Sequence, residues 1–140
     1  MVKLARDVMS TDCQCIGEEE SLLDAARKLA ALDVGAMPIC GTDGRLKGML
    51  TDRDLVVKAI ARGRNLTTTR AGELAEGRPI TVDSDDSISD VVKLMAEYRI
   101  RRLPVLEGRD LVGIVAIADL AAHLSRDELG ELMQVISTAS

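Results

Sequence analysis

Gly48-Met49-Leu50-Thr51-Asp52-Arg53-Asp54-Leu55 returns later in the chain as Gly113-Ile114-Val115-Ala116-Ile117-Ala118-Asp119-Leu120. In both stretches a glycine leads an apolar run, and an Asp-Leu pair closes it. Working outward, the register persists. A shift of 66 carries Ala5 onto Ala71, Ser21 onto Ser87, Asp24 onto Asp90 and Pro38 onto Pro104. Beyond Pro104 the shift becomes 65, pairing Leu46 with Leu111 and Asp54 with Asp119. A single residue lost in a turn is what a duplication leaves behind. The chain therefore divides into a first repeat over 1–66, a second over 67–125 and a tail over 126–140.

Each copy reads as β-α-β-β-α. A short apolar strand is expected near Cys13 to Ile16 and near Ile80 to Val82. Ser21 and Ser87, each three residues before an acid, predict helix N-caps with acidic first turns. Leu22, Ala25, Ala26, Leu29 and Ile88, Val91, Val92, Met95 are spaced as one buried helical face. Two strands follow, Met37 to Cys40 and Leu46 to Leu50, with a turn at Gly41-Thr42-Asp43-Gly44. Their counterparts are Leu103 to Leu106 and Leu111 to Val115, joined at Glu107-Gly108. Glycine in such short connections predicts hairpins. One copy of about 60 residues is marginal alone. The expected fold is α/β (α+β): two repeats packed sheet to sheet with pseudo-twofold symmetry, plus a short C-terminal helix.

Composition narrows the function. The chain has 140 residues, 46% of them hydrophobic and 29% charged, and a net charge of −5. Its longest apolar run, Leu111 to Ala118, is far short of the roughly 20 residues of a membrane span. No secretion leader precedes Lys3, so a soluble, cytoplasmic protein is expected. Without a basic stripe, and with Tyr98 as the sole aromatic residue, nucleic-acid binding is not expected. The one histidine, His123, reads as a boundary residue on an apolar helical stretch. No phosphate-binding glycine loop is present. These absences predict a protein that is not an enzyme, with no catalytic residue and no metal site.

Thr51 and Asp54 stand where a helix follows a strand, and a helix N-terminus offers unpaired N–H groups and positive potential. A carboxylate there suits the vicinal hydroxyls of a ribose. The structural alternative makes Thr51 an N-cap and Asp54 and Asp119 first-turn partners of the helix dipole.

These residues resemble the cystathionine-β-synthase (CBS) domain family. The likeness rests on Met37-Pro38-Ile39 and Leu103-Pro104-Val105, on the two Gly-to-Leu stretches, and on the openings Ala5-Arg6-Asp7-Val8-Met9 and Ala71-Gly72-Glu73-Leu74. It covers nearly the whole chain, and Pro38-Ile39-Cys40-Gly41 is similar to small stand-alone CBS proteins of the hypoxic response type. The resemblance implies a Bateman module that binds AMP, ADP, ATP or S-adenosylmethionine between its copies and regulates a separate protein partner. It implies two unequal sites. One combines Thr51, Arg53 and Asp54 for ribose with Ile80 against the base, but has only Gly35 and Ala36 where phosphate-binding cations are expected. The other combines Asp119 with Arg101 and Arg102, and with Met9 and Gln14, but carries Ala116 at the hydroxyl position. Arginine pairs well with phosphate, so a phosphorylated nucleotide is expected first at the Arg101/Arg102 site. The alternative is that both arginines solvate a rim or pair with Glu97 and Glu107.

A β-α-β crossover sets its two strands side by side. Free thiols are the default reading for the three cysteines, with a Cys15–Cys40 disulfide as the alternative that this crossover allows; three cysteines make an incomplete zinc set. The tail carries a capping-box pattern at Ser125-Arg126-Asp127-Glu128 and a stripe of Leu129, Leu132, Met133 and Ile136. That predicts a short amphipathic helix, either a cover for the core or a partner contact. The resemblance also implies a homodimer. The competing function is a ligand-free stress-response interaction protein that responds to thiol redox state.

Overall fold

The computed structural model describes residues 3–11, 14–75 and 79–137. Cys13, which the sequence placed on the first strand, lies outside them. The chain forms two compact units, and their boundaries are not those of the sequence repeats. Residues 14–79 make one unit, and residues 1–13 with 80–140 make the other.

In the first unit, β1 (Ile16–Gly17), α2 (Leu22–Leu32), β2 (Ala36–Cys40) and β3 (Leu46–Thr51) follow the expected order; α1 (Ala5–Val8) belongs to the other unit. The sheet runs β1-β2-β3, with β1 parallel and β3 antiparallel to β2. The first strand is shorter than expected and begins later, so Cys15 precedes it. Pro38 sits in the central strand because β1 pairs only with Ile39 and Cys40. At Pro38 the strand has one ladder neighbour, which a residue without an N–H tolerates. Ser21 Oγ accepts from the Asp24 N–H at 3.1 Å and caps α2. Leu22, Ala25 and Leu29 are buried from that helix against Ile16, Met37, Ile39 and Leu50. After β3 come α3 (Asp52–Asp54) and a π-helical stretch, Leu55–Ile60.

The second unit repeats the plan with β4 (Val82–Asp83), α4 (Ile88–Tyr98), β5 (Arg102–Glu107) and β6 (Asp110–Ala116) in the order β4-β5-β6. Here too the first strand begins later than expected, at Val82. The helix after the hairpin is shorter, α5 (Ile117–Leu120) and a 3-10 turn at Ala121–His123, and α6 (Arg126–Ser137) follows. Glu128 and Ser125 cap α6 reciprocally: the Glu128 N–H donates to Ser125 Oγ at 3.1 Å and the Ser125 N–H to Glu128 Oε1 at 2.9 Å. Leu132 and Ile136 are buried in the core of this unit, but Met133, expected on the same stripe, is 37% exposed.

The repeat openings explain the unit boundaries. The opening of the chain, α1 (Ala5–Val8), docks on the second unit: the Ala5 N–H donates to Asp86 O at 2.7 Å, and Ser10 and Ile114 exchange backbone hydrogen bonds. The equivalent turn Ala71–Leu74 docks on the first unit, where the Ala71 N–H donates to Glu20 O at 2.8 Å. Ala5 and Ala71 are each fully buried. The two repeated glycines make room for these segments. A Cβ on Gly48 would stand 2.9 Å from the Ala75 Cβ, and one on Gly113 would stand 2.6 Å from Met9 Sδ and 2.8 Å from Ser10 O. Both approaches are closer than packed side chains permit.

Candidate functional site

The two strand-to-helix turns singled out from the sequence are built alike but closed differently. In the first unit Thr51 ends β3 with extended backbone and caps α3. Its Oγ1 accepts from the Asp54 N–H at 3.0 Å, while its own N–H donates to Asp54 Oδ2 at 3.0 Å. The other carboxylate oxygen, Oδ1, lies 3.4 Å from Lys58 Nζ one turn on. Both oxygens of Asp54 are therefore engaged. Arg53, between the two, is exposed. Opposite Thr51 in the ladder stands Ala36, and the Gly35 carbonyl accepts from the Asp52 N–H at 2.9 Å. No cation comes from that side.

In the second unit Ala116 replaces the capping threonine, so only half of the exchange survives. The Ala116 N–H donates to Asp119 Oδ2 at 2.8 Å. Asp119 Oδ1 has no protein partner among the described residues. Across the ladder, Arg102 pairs with Ala116, and the Arg101 carbonyl accepts from the Ile117 N–H at 3.1 Å. Backbone pairing thus fixes both arginines beside the turn that carries Asp119. Arg101 is exposed and Arg102 half-buried, and neither guanidinium forms an ion pair among the described residues. Met9, half-buried, packs against the core of this same unit and lies over Gly113. Ile80 also packs on that core. Gln14 is exposed at the start of the first unit.

The ligand-free chemistry of the two turns follows directly. Two-way capping satisfies the backbone groups that a helix start leaves open. The first turn meets that need with its own side chains and a lysine. The second leaves one Asp119 oxygen uncommitted, with Arg102 across the ladder from Ala116 and Arg101 one residue before it.

A further group lies at the corner of the first unit. Cys15 and Cys40 are joined by a disulfide, with Cα atoms 5.7 Å apart, linking the approach to β1 with the end of β2. Beside it Lys28 donates to the Cys15 carbonyl at 3.3 Å and to Glu20 Oε2 at 2.8 Å, and the Gly17 N–H donates to that same oxygen at 2.6 Å. Burial works to raise the pKa of Glu20, but the Lys28 ammonium and the Gly17 N–H outweigh it, and the carboxyl is held below its usual range. Sequence reasoning missed this network. The spacing of Glu20 and Lys28, across a loop into a helix, marks no motif.

Comparison with known proteins agrees with the architecture. The model of the CBS domain matches residues 5–60 and 71–126. Hypoxic response protein 1 of Mycobacterium tuberculosis is 45% identical over 132 residues, spanning 94% of this chain and 92% of that protein. The crystal structure of Hypoxic Response Protein I with two coordinated zinc ions superposes with a TM-score of 0.82 at 47% identity, over 88% of this chain and 100% of that one. The CBS domain pair of protein MJ0100, in complex with 5-methylthioadenosine and S-adenosyl-L-methionine, superposes with a TM-score of 0.77 at 27% identity, over 88% and 96% of the two chains. This chain, with its duplicated strand-to-helix turns, belongs to the CBS domain family.

Proposed function

We propose that the protein is a regulatory module that takes a phosphorylated adenosine nucleotide at the Asp119 turn and passes its state to a separate protein. One observation carries this reading: the β5–β6 register sets Arg102 opposite Ala116, beside an Asp119 carboxylate with an oxygen to spare. Asp119 would accept from ribose hydroxyls, and Arg101 and Arg102 would pair with phosphate. The Thr51/Asp54 turn ranks second, for a weakly charged adenosyl ligand, because its carboxylate is already committed to Thr51 and Lys58. The adenosyl ligands of the MJ0100 pair support the choice of ligand class. For the ligand to regulate, it must prefer one conformation of the protein over another. The same reading has two copies of the chain associating.

Calorimetric titration with AMP, ATP and S-adenosylmethionine tests the assignment. Arg101→Ala with Arg102→Ala should weaken AMP and ATP by about 10-fold or more while altering S-adenosylmethionine little. No heat of binding from the unmodified protein at millimolar nucleotide would refute it, since that bounds the interaction at about 4 kcal/mol.

The Cys15–Cys40 disulfide favours a second reading, a thiol-responsive interaction protein. Under it, reductant rather than nucleotide would change the melting temperature and partner binding. Zinc fits the described residues poorly. No group of three or more His, Cys, Asp or Glu side chains converges among them, and two of the cysteines are spent on the disulfide.

A further inference from the structure

The first unit carries one covalent tie that its copy does without. Gly17 pairs with Cys40 across the β1–β2 ladder as Asp83 pairs with Leu106 across β4–β5. Leu106 therefore stands where Cys40 does, and Thr81, just before β4, where Cys15 does. The backbone bond beyond each pair is the same: the Glu18 N–H donates to Cys40 O and the Ser84 N–H to Leu106 O, each at 2.9 Å. Since the copy reaches this register with a threonine and a leucine, the strand pairing does not require the bridge. Its sulfurs are free for other chemistry.

The remaining ties around Cys15 involve no sulfur. Lys28, on α2, donates to the Cys15 carbonyl at 3.3 Å and to Glu20 Oε2 at 2.8 Å, and the Gly17 N–H donates to that same oxygen at 2.6 Å. They anchor the approach to β1 whether the bridge is closed or open. The two sulfurs also differ in access. Cys40 ends the central strand and is 7% exposed, whereas Cys15 lies before β1 and is half-buried. In thiol–disulfide exchange a thiolate attacks one sulfur in line with the bond, and access helps decide which sulfur that is.

We propose that the Cys15–Cys40 bridge is a thiol–disulfide exchange site, opened at Cys15 by a protein that carries a pair of thiols. The inference rests on the thiol-responsive reading above and names its reacting sulfur and its class of reductant. One thiolate of the dithiol bonds to Cys15 Sγ; the bond between the two Sγ atoms breaks, and its electron pair leaves with Cys40, which takes up a proton. The second thiolate of the reductant then attacks its own neighbour in the mixed disulfide. Cys15 departs as a thiolate and is protonated in turn. The reductant loses two electrons and two protons and becomes a disulfide, while Cys15 and Cys40 become thiols.

The test uses the full chain carrying Cys13→Ser, which removes the third thiol, with circular-dichroism melts confirming that it folds as the unmodified chain does. It is mixed with an excess of thioredoxin whose second active-site cysteine is replaced by serine, quenched with acid, alkylated and mapped by peptide mass spectrometry. The mixed disulfide should fall on Cys15 in about 10-fold excess over Cys40, with Cys40 alkylated. Reduction of the unmodified chain by intact thioredoxin should proceed without denaturant and leave a cooperative melt at a lower temperature. Identical melting of the oxidised and reduced chains would overturn the thiol-responsive reading and this inference with it. An adduct on Cys40, no adduct until urea unfolds the chain, or a reduced chain with no cooperative melt would overturn this inference alone.

Discussion

The two units share one plan but keep different chemistry. Each has a three-stranded sheet, a serine-capped helix and a left-handed residue closing that helix, Asp33 in one and Arg99 in the other, both with φ of 53°. The unit of residues 14–79 is charge-balanced, with 10 residues of each sign, is stapled by a disulfide, and closes its strand-to-helix turn with Thr51, Asp54 and Lys58. The other is acidic, has no disulfide among its described residues, and leaves its turn open beside two arginines. The repeated architecture rests on backbone register and apolar packing, which both copies preserve. The turns differ because side chains there are free of that constraint.

Opening the disulfide should separate the units most sharply. The bridge spans 25 residues of chain, for which loop closure predicts about 3.5 kcal/mol. Cys15→Ala with Cys40→Ala should therefore lower hydrogen-exchange protection of Ile39 and Leu50 by that order, and protection of Val105 and Val115 by much less. Equal losses in both units would show that they do not differ in this way.

Next in size are the glycines. Gly113→Ala drives a methyl group against the Ser10 backbone carbonyl as well as Met9, whereas Gly48→Ala meets the Ala75 side chain first. Overpacking of this kind costs about 1–3 kcal/mol. The Gly113 variant should be the more damaging in urea denaturation, because it meets Met9 Sδ at 2.6 Å and Ser10 O at 2.8 Å, whereas the Gly48 variant meets Ala75 alone, at 2.9 Å. Smaller still are the caps. Thr51→Ala should cost about 1 kcal/mol, and Ala116→Thr, which supplies the missing acceptor for the Asp119 N–H, should gain a few tenths to 1 kcal/mol. Unchanged melting of both variants would mean that the two turns are equivalent without ligand.

The smallest effect belongs to Glu20. Its carboxyl is held below the usual value in the folded chain. Its contribution is thus present above the unfolded pKa and fades as pH falls through the folded one. Glu20→Gln should cost less than 1 kcal/mol at neutral pH and converge with the unmodified chain below about pH 4.5, which flattens the acid limb of stability. An acid limb identical to that of the unmodified chain would exclude the Lys28–Glu20 tie as its source.

Much of this architecture was legible beforehand because it is written in local patterns. Ser21 and Ser87 announced their helices, Gly44 and Gly108 occupy positive-φ turns in the two hairpins, and the single deletion fell between strands. The assignment of the openings was not legible. Ala5-Arg6-Asp7-Val8 and Ala71-Gly72-Glu73-Leu74 are similar enough that nothing local states which sheet each will cover; long-range packing decides it. The first strands were placed early because apolar residues such as Ile80 pack on the core without entering a ladder. At the candidate site, Thr51, Asp54 and Asp119 were named from their place where a helix follows a strand, and Arg101 and Arg102 from the family resemblance. The commitment of both Asp54 oxygens depends on Lys58, a residue that no motif singles out.

The central claim is that the open turn, not the closed one, receives the nucleotide. Titrating AMP into isotope-labelled protein and following backbone amides by NMR tests it directly. The account predicts that the amides of residues 101–102 and 116–119 shift first and saturate together, with residues 51–54 moving later or not at all. Shifts confined to residues 51–54, or none at millimolar AMP, would contradict it.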